Sequence, residues 1–157
     1  RQGAFLLKAM ATLERAITIA LKAHAGQKDK GGEAYILHPL RLMLGMPTET
    51  ARIVAVLHDV VEDSAWTLDD LRAEGFSAEV LQALEALSKL PGESRIEAAR
   101  RAACNPLARL VKLADNTDNA DLSRIPAPTA KDLARLEEYR QVRAILAHAG
   151  QKQTDPP

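Results

Sequence analysis

Ile53-Val54-Ala55-Val56-Leu57-His58-Asp59-Val60-Val61-Glu62-Asp63 is an apolar run that ends in four titratable residues split by two valines. Pro47-Thr48 precedes it, with Thr48 in the N-cap position of a helix, and the density of Val, Ile and Leu predicts that this helix is the most buried one and the centre of the fold. At about 100° per residue, His58, Asp59, Glu62 and Asp63 fall within a wedge of roughly 140°, while Val60 and Val61 point the other way. Burying these four groups with no cation or substrate costs several kcal/mol per uncompensated charge. Something positive belongs beside them.

The segments on either side also read as helices. Upstream, Leu6, Met10, Leu13, Ile17, Ala20, Leu21 and His24 keep the three-and-four spacing of one apolar face, which brings His24 to the buried side. A polar loop with Gly26, Gly31 and Gly32 follows, and His38-Pro39 opens a short helix that runs to about Gly45. Downstream, Thr67 with Asp70 reads as a capping box for a helix that Gly75 ends, and Ser77 caps another through Leu90. An Arg-rich helix from Ser94 to Cys104 comes next, then one from Asn105-Pro106 carrying Leu107, Leu110, Val111 and Leu113. After Pro126-Ala127-Pro128, Thr129 and Asp132 cap a last helix lined by Leu133, Leu136, Tyr139, Val142 and Leu146. The expected organisation is one all-α domain over residues 1–149 with a disordered tail over 150–157.

Composition agrees. Aromatics are 3% of the 157 residues against 46% apolar in total, a balance that favours helices over strands. The 21 basic and 21 acidic residues cancel, so neither the overall charge nor an aromatic platform favours nucleic-acid binding. No run is long enough to span a membrane, and Ala4 to Met10 is too short for a signal peptide. One cysteine, Cys104, excludes an internal disulfide and reads as a buried small hydrophobe, so a reducing, cytoplasmic setting is expected. A homo-oligomer is left open.

His58 and Asp59 can reach one ion if other helices complete the set, and His38 and Asp115 are the candidates. Two imidazoles and two carboxylates suit Mn, Fe or Zn and leave room for water and substrate. Such a centre activates water and polarises a phosphoryl oxygen, which is most of what phosphoester hydrolysis requires. Glu62 and Asp63, one turn on, are placed as general acid/base and as positioner of the attacking water.

Four elements in order, Ala23-His24-x-Gly26-Gln27, Tyr35-x-x-His38-Pro39, Leu57-His58-Asp59-x-x-Glu62-Asp63 and Lys112-Leu113-Ala114-Asp115-x-x-x-Asn119, resemble the HD-domain hydrolases of the RelA/SpoT group. The short alarmone hydrolases, including the metazoan SpoT homologues, are similar in length. The resemblance implies an all-α HD bundle with a single metal site, usually Mn²⁺, that removes pyrophosphate from the 3′ position of ppGpp or pppGpp. It implies His38, His58, Asp59 and Asp115 as metal ligands, Glu62 and Asp63 as the catalytic acidic pair, and Asn119 as a contact near the ribose. His24 and Tyr35 become supporting residues behind the ligands. The synthetase half of the long enzymes has no room in this length.

The chain departs from that pattern where the family commonly has Arg-Lys-Ser after Gln27: here stand Asp29, Lys30 and Gly31. Asp29 cannot stack on a base as guanidinium does, although it can accept from a purine amino group. Residues 116–121 likewise replace basic and aromatic residues of the family. Lys30, Lys112 and Arg124 are the cations expected to meet the nucleotide, with Lys28, Arg41 and Arg140 behind them. Two rival readings are an HD phosphohydrolase acting on ppApp, NADPH or nucleotide monophosphates, and a silent HD module that only binds alarmones.

Overall fold

The computed structural model describes residues 9–151, and every regular element among them is helical. In chain order these are α1 (Leu13–Ala23), α2 (Leu37–Leu44), α3 (Glu49–Leu57), α4 (Val60–Asp63), α5 (Leu68–Glu74), α6 (Ala78–Leu87), α7 (Arg95–Ala103), α8 (Pro106–Ala120) and α9 (Ala130–Gln151), with one 3₁₀ turn over Leu122–Arg124. An isolated bridge between Lys28 and Ala34 pins the loop between α1 and α2. No described helix is long and apolar enough to cross a membrane.

Helix starts follow the cap chemistry of the sequence. Thr48, Ser77 and Asn105 each accept from the amide three residues on, at 3.1, 3.2 and 2.9 Å. Thr67 with Asp70 and Ser94 with Glu97 close reciprocal capping boxes, and Thr129 exchanges the same bonds with Asp132. Each cap contributes about 1 kcal/mol. Val54, Ala55, Val56 and Leu57 are all fully buried because α3 is wrapped by α1, α2, α6 and α8. At about 1.5–3 kcal/mol for each large apolar side chain removed from water, this helix is the anchor of the core. Ala99, Ala103, Val142 and Leu146 form a second cluster where α7 meets α9.

Several expectations need correction. The run expected to continue through His58 and Asp59 breaks there: Asp59 sits at φ −104°, ψ −1° and caps the separate four-residue α4. The first helix begins at Leu13, because Thr12 accepts from the Arg15 amide and stops the chain from extending upstream. Met10 and Leu21, expected on its apolar face, are exposed, and Leu6 lies outside the described residues. α6 ends at Leu87 rather than Leu90, since Arg101 takes the carbonyls of Glu85 and Ala86 at 2.9 and 3.2 Å. Cys104 is exposed at the end of α7. Leu133 is exposed because it lies about 120° around the helix from Tyr139, off the stripe that Tyr139, Val142 and Leu146 bury. Gly150 and Gln151, assigned to the tail, continue α9.

Candidate metal centre and adjoining cleft

The α3–α4 break governs the site. His58, the last residue before it, is buried, and its Nδ1 donates to the Ala55 carbonyl at 2.7 Å. In the neutral ring that bond puts the proton on Nδ1 and leaves the lone pair on Nε2. This nitrogen is buried and makes no hydrogen bond among the described residues.

Asp115 Oδ1, from α8, is 3.7 Å from His58 Nε2 and 3.1 Å from His38 Nε2, from α2. One ligand atom from each of His38, His58 and Asp115 lies within 4.8 Å of the others, and all three residues are buried. Asp59, expected as the fourth ligand, stands at the edge of this trio with Oδ2 3.0 Å from His58 Nε2. A buried imidazole nitrogen with no partner, facing a second imidazole and two carboxylates, is a donor set that fits a divalent ion.

The surroundings hold these groups in place. The Tyr35 hydroxyl donates to Asp59 Oδ2. Burial and the Asp59 charge both push the Tyr35 pKa up, so it serves as a donor only. Asp115 is held at both oxygens, with Lys112 Nζ at 2.8 Å on Oδ2 and Asn119 Nδ2 at 2.7 Å on Oδ1. Burial opposes ionisation of Asp115, but Lys112 and the two histidines hold it well below the usual carboxylate range. Burial also opposes charging His58, yet Asp59 and Asp115 raise it well above the usual imidazole value. A proton and a cation compete for the same place there.

Glu62 and Asp63 follow on α4, exposed at the rim. The Lys89 amide donates to Glu62 Oε1. Partial burial, then the Asp59 charge, raises the Asp63 pKa, which suits an acid that must also hold a proton. His24 is buried at the end of α1, where its Nδ1 meets Gln27 Oε1 at 2.8 Å. Gln27 Nε2 donates to the Asp63 carbonyl at 3.0 Å, so His24 steadies the acidic pair from behind through Gln27.

A cleft of about 310 Å³ opens beside the cluster, lined by His38, Tyr35 and Asn119 on the metal side and by Lys30, Arg95, Arg124, Arg135 and Tyr139 farther out. Lys30 reaches Asp132 at 3.2 Å and Arg95 lies 5.3 Å over the Tyr139 ring. Lys112 does not line this cleft, because its ammonium is on Asp115. Asp29 lines it but turns Oδ1 to the Gly31 and Glu33 amides at 2.9 and 3.0 Å. Arg140 points elsewhere and pairs with Glu137. Sequence reasoning missed Asp118, which accepts from His38 Nδ1 at 2.6 Å and from Arg41 at 2.9 Å twice. The three-residue spacing from Asp115 on one helix is the signal that could have found it.

No family model matches the chain. The chain is similar to a GTP pyrophosphokinase of Streptomyces coelicolor, 34% identical over 150 residues, covering 87% of this chain and 17% of that protein. It is also similar to a guanosine-3′,5′-bis(diphosphate) 3′-pyrophosphohydrolase of Aquifex aeolicus, again 34% identical over 150 residues, covering 87% of this chain and 21% of that one. Over 87% of its length the chain is thus similar to one stretch of RelA/SpoT-group proteins. It spans about a fifth of the length of these relatives. A solved structure of a metazoan SpoT orthologue that hydrolyses ppGpp superposes with a TM-score of 0.69 at 19% identity, over 93% of this chain and 97% of that one. The all-α fold is thus shared with that structure.

Proposed function

We propose that this chain is a metal-dependent phosphohydrolase of the RelA/SpoT group that removes the 3′-pyrophosphate from a (p)ppGpp-like nucleotide. The observation that carries the reading is the buried, unpartnered Nε2 of His58, facing His38, Asp115 and Asp59 beside a cation-lined cleft. Similarity to a 3′-pyrophosphohydrolase and to a SpoT orthologue supports the substrate class. His38, His58, Asp59 and Asp115 would hold the ion, and Mn²⁺ suits their mixed nitrogen and oxygen donors. When bound, a divalent ion supplies charge for the phosphoryl oxygen and acidifies a water molecule.

The residues of the chain do the rest. Asp63, with its raised pKa, orients the attacking water and takes up its proton, and Glu62, steadied by the Lys89 amide, assists on the same rim. Water adds to the phosphorus, the bond to the 3′ oxygen breaks, and that oxygen leaves with a proton as a hydroxyl. Lys30, Asn119 and Arg124 contact the nucleotide from the cleft. Asp29, with one oxygen on the loop backbone, keeps the other for a purine edge, so base preference is expected to shift toward a base that offers an amino group there. We read the described residues 9–151 as one such domain and place it in the reducing cytoplasm, where a lone exposed thiol stays free.

The test is a panel of ppGpp, pppGpp, ppApp and NADPH incubated with the Mn²⁺-loaded protein and resolved by anion-exchange chromatography. Release of pyrophosphate from the first three supports the proposal. Loss of phosphate from NADPH alone moves it to the rival phosphatase, and tight binding without turnover makes it a silent module.

A further inference from the structure

Asp118 lies one turn beyond Asp115 on α8, and its side chain is 14% exposed. Oδ2 accepts from His38 Nδ1 at 2.6 Å, so the metal-facing Nε2 of His38 has a carboxylate behind it. The same carboxylate takes the Arg41 guanidinium in a two-pronged contact, both arms at 2.9 Å. Arg124 adds a contact to each oxygen at 3.4 and 3.1 Å and a third to the Asp118 carbonyl at 3.0 Å. Both arginines line the cleft. Asp121 Oδ2 also stands 3.5 Å from Arg124, so the two guanidinium groups are shared between two carboxylates at the cleft wall, within one side chain of the metal ligand.

A carboxylate behind a histidine raises the ligand's basicity, and removing it typically weakens metal binding about 10–100-fold. Here the two arginines compete with His38 for that carboxylate and place positive charge near the ion. An anion docked in the cleft would draw on the same guanidinium donors, because Arg presents a planar fork that fits phosphate as well as carboxylate. We infer that Arg41, Asp118 and Arg124 form a relay that couples an anionic group in the cleft to the protein's grip on the metal, each tightening the other. Binding couplings are reciprocal, so metal must tighten the anion by the same factor. The inference rests on the metal reading above and not on the identity of the substrate.

The experiment is isothermal titration of Mn²⁺ into the metal-stripped protein, in chloride and in sulfate at equal ionic strength, sulfate serving as a tetrahedral dianion. Wild type is expected to bind Mn²⁺ more tightly in sulfate. Asp118→Asn is expected to bind about 10–100-fold more weakly and to lose the sulfate response. The Arg41→Gln, Arg124→Gln double variant is expected to bind Mn²⁺ at least about fivefold more tightly than wild type in chloride, with no further gain in sulfate. A purely structural role would weaken the metal in every variant, so weaker binding by the double variant overturns the relay. A full sulfate response in the double variant overturns it as well. Should the double variant fail to fold, Arg41→Gln alone carries the same expected sign. No step of the titration uses turnover, so an inactive protein leaves the relay standing, and a failed relay leaves the hydrolase reading standing.

Discussion

Around the α3–α4 break, the metal-facing atoms are buried and oriented by single-purpose partners: a backbone carbonyl behind His58, a lysine and an amide on Asp115, a phenol on Asp59. Across the cleft toward α9, the functional groups are partly exposed side chains held by one another, as in Lys30 with Asp132 and Arg124 with Asp118 and Asp121. The first region is rigid because each group has one low-energy arrangement in a core where unpaired charge is costly. The second can exchange partners, since its ion pairs are screened and individually weak. On the proposed reading, chemistry is housed where the fold is least able to change, and recognition where side chains can let go of each other and take a ligand.

The sharpest way to break this contrast is Asp115→Ala. It removes a ligand and leaves the Lys112 ammonium without its partner, so urea unfolding should show a loss of about 3–5 kcal/mol and elemental analysis should find no bound metal. A variant as stable as wild type would mean that the cluster is not integral to the core. Next in size, Asp63→Asn should cut turnover by about 10²–10⁴-fold while metal content stays unchanged, because Asp63 acts on the water and not on the ion. Full activity would remove Asp63 from its assigned role.

Acid tests the boundary between the regions. Burial opposes it, but the Arg41 and His38 contacts hold Asp118 at about 2, below its ordinary value. A carboxylate lowered in the folded state stabilises above its unfolded pKa and loses that contribution as pH falls. In chelator-treated protein, the stability gap between wild type and Asp118→Asn should be about 1–2 kcal/mol near neutrality, discounted for partial exposure, and should close between about pH 4 and pH 2. A gap independent of pH would show that the Asp118 charge contributes nothing. Smallest of all, Cys104→Ser should change stability by less than about 0.5 kcal/mol, and the native thiol should react freely with an aromatic disulfide reagent. Slow labelling would return Cys104 to the core.

The same division explains what was legible in the sequence. The caps at Thr48, Thr67, Ser77, Ser94 and Asn105 and the burial of Ile53 to Leu57 are local signals, readable from residue type and period. His38, His58 and Asp115 stood out because their motifs sit next to buried segments, and the fold brings them together. The break at His58-Asp59 was invisible to helical periodicity, since it arises from the ligand's own bond to the Ala55 carbonyl. Lys112 was assigned to substrate because the sequence shows a cation near a motif, not the carboxylate one turn along that claims it. Asp118, Gln27 and the Lys89 amide act through partners 80, 36 and 27 residues away, distances that only the tertiary fold closes.

The most direct test of the central claim is the appearance of pyrophosphate when metal-stripped protein and ppGpp are supplied with Mn²⁺. The structure predicts no release before the metal is added, stoichiometric formation of GDP and pyrophosphate after it, and no release at any metal concentration from His58→Ala. Equal hydrolysis with and without Mn²⁺, or undiminished hydrolysis by His58→Ala, would contradict a reaction centred on His38, His58, Asp59 and Asp115.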